Sequence, residues 1–204
     1  MRESKAKKKI LQVADEMFRQ IGYSDLNVNE IAHRAGVSIG TLYYHFPDGK
    51  TSILMEIRSR IFDHYEKVFA ERLDPERLQE AASLDEGLKL LFETLIDIHR
   101  GERLVLAAID AEVLSNLASY TEVAESIAMQ DLMESDARPV MGVLEALLGR
   151  FPEEGLALDG RGARVNKVID VLVHRFVYVE SMFGSEREFI DMMIRIARAL
   201  CSCG

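Results

Sequence analysis

The sequence predicts an all-α protein with a small N-terminal helix-turn-helix head and a larger helical body. Apolar residues recur at spacings of three and four along most of the chain, as amphipathic helices require. No stretch alternates apolar and polar residues as a half-buried strand would. Only 4 of the 204 residues are proline, so few positions interrupt a helix. We expect residues 1–50 to form the head and residues 51–204 the body.

The first helix is predicted from Ser4 to Ile21, with Gly22 ending it. A basic run, Lys5, Lys7, Lys8 and Lys9, occupies its first turns. Further along, one apolar stripe is expected to face the core of the head. It consists of Ile10, Val13, Ala14, Met17, Phe18 and Ile21.

Residues 27–46, NVNEIAHRAGVSIGTLYYHF, have the layout of a helix-turn-helix. Asn27 is suited to cap the first helix of the pair, with Glu30 completing a capping box. Gly36 is expected at the sharp turn, where a positive φ favours glycine. Ser38 is a suitable cap for the second helix.

The second helix of this pair is predicted to bury Leu42 and Phe46, which lie four residues apart on one edge. Its other edge offers hydroxyls, an imidazole and two phenols but no carboxylate, which suits a polyanion. The residues of this edge are Ser38, Gly40, Thr41, Tyr43, Tyr44 and His45. Because such a second helix enters the major groove of DNA, the pattern predicts a DNA-binding head.

The distribution of charge supports this interpretation, although the whole chain has a net charge of −9. The first 50 residues contain 8 Lys and Arg against 6 Asp and Glu, whereas the remainder contains 17 against 28. A basic head on an acidic body is expected to present one end to phosphate.

Composition also bounds the protein's location and chemistry. Neither a membrane-spanning run nor a signal peptide is recognisable, so a cytoplasmic protein is expected. The two cysteines, Cys201 and Cys203, are interpreted as ordinary tail thiols. No cofactor is predicted.

The body is predicted to be helical throughout, with Gly101 separating two of its helices. The first body helix is expected to begin at about residue 51 and to link the head to the body. The predicted ranges are 51–73, 76–82, 84–100, 102–116, 119–149, 161–183 and 185–201.

The last two helices are apolar on two sides, so each is expected to need a partner outside its own subunit. We infer a homodimer built on them, which would also place two reading helices on a palindromic site. The residues assigned to the dimer interface are Val168, Leu172, Phe176, Val179, Phe189, Met193, Ile196 and Leu200.

Several polar residues lie within or beside apolar helical stretches of the body and are candidates to orient a small ligand. They are His64, His99, Arg103, Asp110, Glu112, His174 and Tyr178. Two histidines with two carboxylates can also bind a metal ion, although ordinary helix charges are the favoured interpretation and no metal site is predicted.

Two other function classes stay open at this level. One is an all-helical small-molecule enzyme, for which no nucleophile elbow, phosphate-binding glycine loop or paired metal motif is found. The other is an adaptor that binds protein through its head. Site-selective, salt-dependent DNA binding distinguishes a regulator from both.

The segment from Ile10 to about Ile57 closely resembles the DNA-binding head of the TetR family of bacterial transcriptional regulators. The resemblance is carried by AxxxFxxxGY at Ala14 to Tyr23, by IAxxAGVSxGTLYYHF ending at Phe46, and by Lys50 followed by Ile53 and Leu54. It covers about a quarter of the chain. The segment PDGK departs from the family pattern by one additional residue before the lysine.

The resemblance implies which residues contact DNA. Those matching positions that touch phosphate or bases are Thr41, Tyr43, Tyr44, His45 and Lys50, and those facing base edges are Asn29, Ser38, Ile39 and Gly40.

The resemblance also implies a body that binds a small-molecule effector and dimerises through its last two helices. Binding of the effector would change the spacing of the two heads and release a palindromic operator. The helix from Thr51 to Leu73 is the candidate to transmit this change, and repression is the default mode.

Overall fold

The computed structural model of the chain describes residues 4–115, 127–179 and 182–202. In these ranges it forms nine α-helices, one 3₁₀ turn at Pro152–Glu154 and an isolated bridge between Leu156 and Ser202. The helices are α1 (Lys5–Ile21), α2 (Val28–Ala35), α3 (Ile39–His45), α4 (Lys50–Arg72), α5 (Pro75–Glu80), α6 (Leu84–Ser115), α7 (Ile127–Arg150), α8 (Gly162–Tyr178) and α9 (Glu186–Cys201). The predicted all-α fold class is confirmed.

The chain divides into two compact units. The first contains Met1–Asp63 with Leu104–Asn116, and the second contains His64–Arg103 with Leu117–Gly204. The division therefore falls inside α4 and inside α6, so each of these helices contributes residues to both units.

The first unit contains the three-helix head, and its helix boundaries follow from local signals. The Ser4 side chain caps α1 by accepting a hydrogen bond from the Lys7 backbone N–H at 3.0 Å. The Asn27 side chain caps α2 by accepting from the Asn29 N–H at 2.8 Å. The predicted capping box at α2 is absent from the structure, because the Glu30 carboxylate pairs with Arg34 instead, at 2.7 Å.

The prediction of two helices separated at Gly101 is wrong, because α6 runs without interruption from Leu84 to Ser115. A glycine inside a helix costs only about 0.5–1 kcal/mol relative to alanine. Burial of residues on both sides of Gly101, including Leu95, Ile96 and Val105, outweighs that cost. Of the predicted helix 119–149, residues 119–126 lie outside the described part of the chain.

Two glycines of α6 provide a matched test of helix packing in the second unit. A Cβ on Gly87 would lie 2.3 Å from Leu147 Cδ2 on α7, and Leu147 is fully buried, so it has little room to move. A Cβ on Gly101 would meet nothing within 4 Å. We expect Gly87→Ala to lower the free energy of unfolding by about 1–2 kcal/mol, since overpacking exceeds the gain in helix propensity.

Gly101→Ala is expected to raise the same free energy by about 0.5–1 kcal/mol. Urea unfolding followed by far-UV circular dichroism measures both changes. Equal stabilisation by the two alanines would contradict the close packing of α6 on α7.

The last two helices of the second unit each have a buried face. On α8 this face contains Val165, Ile169, Val173, Phe176 and Val177, and on α9 it contains Phe189, Ile190, Met193, Ile194, Ala197 and Cys201. Cys201 is therefore a core residue, and burial raises the pKa of its thiol.

The prediction that Phe176, Phe189 and Met193 lie in a dimer interface is wrong, because all three are core residues of the single chain. Phe176, Phe189 and Met193 are at most 1% exposed within a single chain, so their side chains pack inside the subunit. The rings of Phe176 and Phe189 stack with centroids 4.1 Å apart. Other apolar residues face outward, with Val168 and Val171 on α8 and Val179 directly after it between 36 and 48% exposed.

None of the helices in the described ranges is long and apolar enough to cross a membrane.

Candidate nucleic-acid interface

The third helix of the head is held by one buried edge. Leu42 is fully buried and Phe46 is 2% exposed, where α3 packs on α1 and α2. An edge anchored in this way leaves the opposite side of α3 facing outward.

The turn between α2 and α3 sets the angle of α3. Gly36 has φ 67° and ψ 36°, the left-handed conformation predicted from the sequence. Its N–H and that of Val37 donate to carbonyls of the last turn of α2, each at 3.0 Å. A side chain at this φ would be strained, so glycine allows the tight crossing of the two helices.

The start of α3 is defined by two hydroxyls. Ser38 Oγ accepts a hydrogen bond from the Thr41 N–H at 3.0 Å and lies 2.8 Å from Thr41 Oγ1. Both hydroxyls are therefore oriented by the cap, at the end of the helix where the backbone partial charge is positive.

The outward side of α3 exposes several large side chains to solvent. Tyr44 is 82% exposed, Tyr43 46% and Ile39 40%. Ser38, Gly40 and Asn29 are also exposed, whereas Thr41 and His45 are half-buried. We call the set Ser38, Ile39, Gly40, Thr41, Tyr43, Tyr44 and His45 the reading face.

Two contacts support the aromatic residues of the reading face. A Cβ on Gly49, which has φ 58°, would lie 3.3 Å from Tyr43 Cε1, so the turn before α4 packs closely against the Tyr43 ring. His45 Nε2 is hydrogen-bonded to Ser4 Oγ at 3.0 Å, which ties the end of α3 to the start of α1. These side chains are thus partly positioned by the head itself.

Lys50 begins α4, as expected, but its ammonium is engaged. Nζ donates to the Tyr23 carbonyl at 2.9 Å and lies 4.2 Å from the centre of the Tyr23 ring. An ammonium has three N–H donors, and this contact uses one of them. The other two N–H groups can still donate to a second partner.

The electrostatics of the head favour an anionic partner. The helix of the reading face, IGTLYYH, contains no carboxylate. Nearby, Arg34 hydrogen-bonds to Glu30 and lowers the pKa of that carboxyl, and Lys7 pairs with Glu56 at 2.9 Å. Lys5, Lys8 and Lys9 are exposed on α1. The reading face can therefore approach phosphate without a carboxylate of its own repelling it.

In the second unit, the structure brings together three of the residues predicted to bind a ligand. The rings of His99 and His174 have centroids 4.9 Å apart, and those of His174 and Tyr178 are 5.6 Å apart. Tyr65 and Asp170, which the sequence analysis did not select, complete this group. The Tyr65 ring lies 5.2 Å from that of His99, and Asp170 Oδ1 lies 3.6 Å from His174 Nε2.

The other predicted ligand residues do not join this group. His64 and Arg103 have exposed side chains. Asp110 is half-buried in the part of α6 that belongs to the first unit. The side chain of Glu112 lies outside the described residues.

A separate pocket of about 760 Å³ opens between α4, α5 and α7. None of the predicted ligand residues lines it. Its walls are mainly apolar, with Glu66, Gln79, Arg138 and Arg150 as polar groups. The apolar lining is Phe69, Ala70, Leu73, Pro75, Leu78, Pro139, Gly142, Val143 and Ala146.

Comparison with known proteins agrees with this geometry. Residues 10–57 match the family model of the tetR family of bacterial regulatory proteins. The HTH-type transcriptional regulator LmrA of Bacillus subtilis is 30% identical over 69 residues, which cover 34% of this chain and 37% of that protein. The chain thus spans little more than a third of the length of this relative.

Solved structures match over nearly the whole chain. A tetR-family regulatory protein from Rhodococcus RHA1 superposes with a TM-score of 0.62 at 18% identity and covers 99% of this chain and 100% of its own. Salmonella enterica GusR gives a TM-score of 0.59 at 19% identity, with coverage of 97% and 96%. At these identities the similarity shows a shared fold.

A helix-turn-helix head joined to an all-helical body is the architecture that this chain shares with the tetR-family protein from Rhodococcus RHA1. The similarity to the tetR family of bacterial regulatory proteins is one of sequence in the N-terminal domain, residues 10–57, and one of fold in the body.

Proposed function

We propose that the protein is a homodimeric, sequence-specific transcriptional regulator, by default a repressor, that a small-molecule effector releases from a palindromic operator. The observation that carries this proposal is the reading face, an exposed, carboxylate-free surface on the second helix of a helix-turn-helix. Such a regulator acts in the cytoplasm, where bacterial DNA lies.

The reading face divides by chemistry into two groups of proposed contacts. Tyr43, Tyr44, Thr41 and His45 present groups that can hydrogen-bond to phosphate oxygens. Ile39 offers apolar contact to a thymine methyl, and Asn29, on α2 beside the reading face, can bond to adenine. Gly40, next to Ile39, lets the backbone approach the groove closely. Ser38 Oγ already accepts the hydrogen bond from the Thr41 N–H that caps α3. Any contact that this hydroxyl makes to a base must therefore leave that bond intact.

Dimerisation is supported by the outward apolar residues of the last two helices. Val168 and Val179 are well exposed in a single chain, and Leu172, Ile196 and Leu200 are half-buried. Apolar side chains grouped on outer helices are typical of surfaces that a second subunit covers. Two symmetric heads would then contact two half-sites.

The pocket between α4, α5 and α7 is the proposed effector site. Its apolar walls suit the apolar part of a small molecule. Arg138 and Arg150 suit an anionic or polar group at one end of that molecule. Arg150 Nη2 also donates to the Ala81 carbonyl at 3.0 Å, which orients this side chain. Because Glu66 and Phe69 are on α4, effector binding can be transmitted along the helix that begins with Lys50.

Selection of bound fragments from genomic DNA at two salt concentrations tests the function. We expect a few discrete sites to be enriched, with affinity falling steeply as salt rises, because neutralised phosphates release counterions. A Val168→Asp, Leu172→Asp variant is expected to be monomeric in sedimentation and to lose site-selective binding. Retention of fragments without any shared sequence would contradict the proposal.

A further inference from the structure

A cluster of ligating side chains lies in the second unit and shares no residue with the lining of the pocket. One ligand atom from each of His99, Asp170 and His174 lies within 4.8 Å of the other two. Two ligands held at about 2.0–2.1 Å from one tetrahedral ion are about 3.3 Å apart. Side-chain movements of about 1 Å would therefore bring the three atoms to a common ion.

His99 is arranged as a metal-binding histidine. Its side chain is buried, and Nδ1 lies 2.7 Å from the Leu95 carbonyl oxygen. Because a carbonyl only accepts hydrogen bonds, Nδ1 is the donor in this contact, and Nε2 is the ring nitrogen that could ligate an ion. A ligating histidine commonly donates its other ring N–H to such a carbonyl, which fixes the orientation of the ring.

The second histidine and the carboxylate are adjacent on α8. Asp170 and His174 are one turn apart, and Asp170 Oδ1 lies 3.6 Å from His174 Nε2. Both side chains are partly exposed, at 38% and 15%, so an ion has access to them from solvent.

We propose that His99 Nε2, an imidazole nitrogen of His174 and a carboxylate oxygen of Asp170 bind a divalent first-row transition-metal ion. Imidazole ligands favour ions such as Zn²⁺ and Co²⁺ over Mg²⁺ and Ca²⁺, which prefer oxygen. Three protein ligands leave a further position for water or for a donor atom of a second molecule. The proposal does not depend on DNA binding by the head.

The test uses the tag-free, full-length protein after treatment with a chelator and its removal. Co²⁺ is titrated while the visible d–d absorption is followed, and Zn²⁺ binding is measured by calorimetry. We expect one ion per chain, no binding of Mg²⁺, and affinity for Zn²⁺ at least about 10- to 100-fold lower in Asp170→Asn and in His174→Gln. The matched control is His64→Gln, an exposed histidine of the same unit, which is expected to bind as the parent does.

Folding of each variant is checked by its thermal midpoint in chelator. Zn²⁺ is expected to raise the midpoint of the parent and of His64→Gln but not that of Asp170→Asn, since a ligand stabilises only the form that binds it. The proposal is overturned if the parent binds no Zn²⁺ at excess ion, if Asp170→Asn and His174→Gln bind as tightly as the parent, or if Co²⁺ gives thiolate charge-transfer bands.

The two proposals fail separately. Absence of metal binding by a parent protein that still binds its operator would overturn only the metal assignment. Metal binding by a protein that selects no DNA sequence would overturn only the regulatory function.

Discussion

Replacing Tyr44 by alanine is expected to weaken operator binding by about 100-fold or more and to leave the folding stability almost unchanged. A hydrogen bond to a charged group such as phosphate contributes about 1.5–3 kcal/mol, and a dimer makes the contact twice. The sum of about 3 kcal/mol or more corresponds to the expected change in affinity, at 1.4 kcal/mol for each factor of ten.

The same substitution should cost little in folding, because Tyr44 is 82% exposed and its ring meets that of His45 edge-on. Exposed substitutions of this kind usually change stability by no more than about 0.5 kcal/mol. Fluorescence anisotropy on a selected operator and urea unfolding measure the two quantities.

Tyr44→Phe serves as the matched control, since it keeps the ring and removes only the hydroxyl. If the hydroxyl bonds to phosphate, the phenylalanine variant should bind almost as weakly as the alanine variant. Operator affinity unchanged in Tyr44→Ala would remove this residue from the reading face.

The second large effect is expected in the body, where Phe189→Ala should lower the free energy of unfolding by about 3–5 kcal/mol. The Phe189 side chain is fully buried, stacks on Phe176 at 4.1 Å and meets Phe183 edge-on at 5.3 Å. Its removal leaves a cavity and ends both aromatic contacts.

This result separates a core role for Phe189 from the interface role assigned by sequence analysis. Urea unfolding at several protein concentrations is the measurement, with Phe189→Leu as a variant that retains much of the volume and should lose less stability. An unfolding free energy within about 1 kcal/mol of the parent, combined with weaker dimerisation, would instead support the interface assignment.

Sequence reasoning was most accurate where structure follows from local chemistry. Asn27 and Ser38 cap their helices and Gly36 takes the left-handed turn, because each of these features depends on residues within four positions of one another. Gly101 shows the limit of such reasoning, since helix continuity there depends on packing that a glycine signal does not report.

The body was less predictable because its sites combine distant segments. The apolar pattern of α8 and α9 indicates two buried sides on each helix. It does not show which side packs inside the subunit, and this is why the predicted interface role of Phe176 is wrong. The Asp170 and His174 pair is visible as a spacing of four residues. Its approach to His99 becomes apparent only when α6 and α8 are packed.

Hydroxyl-radical footprinting of a selected operator, with the parent and with Tyr44→Ala, tests most directly whether paired reading faces bind DNA. Two protected half-sites are expected on the same face of the duplex, related by two-fold symmetry and separated by about 10.5 base pairs or a multiple of it. The alanine variant should protect neither half-site at the same concentration. Protection that lacks two-fold symmetry and is the same in both proteins would contradict binding through the reading face.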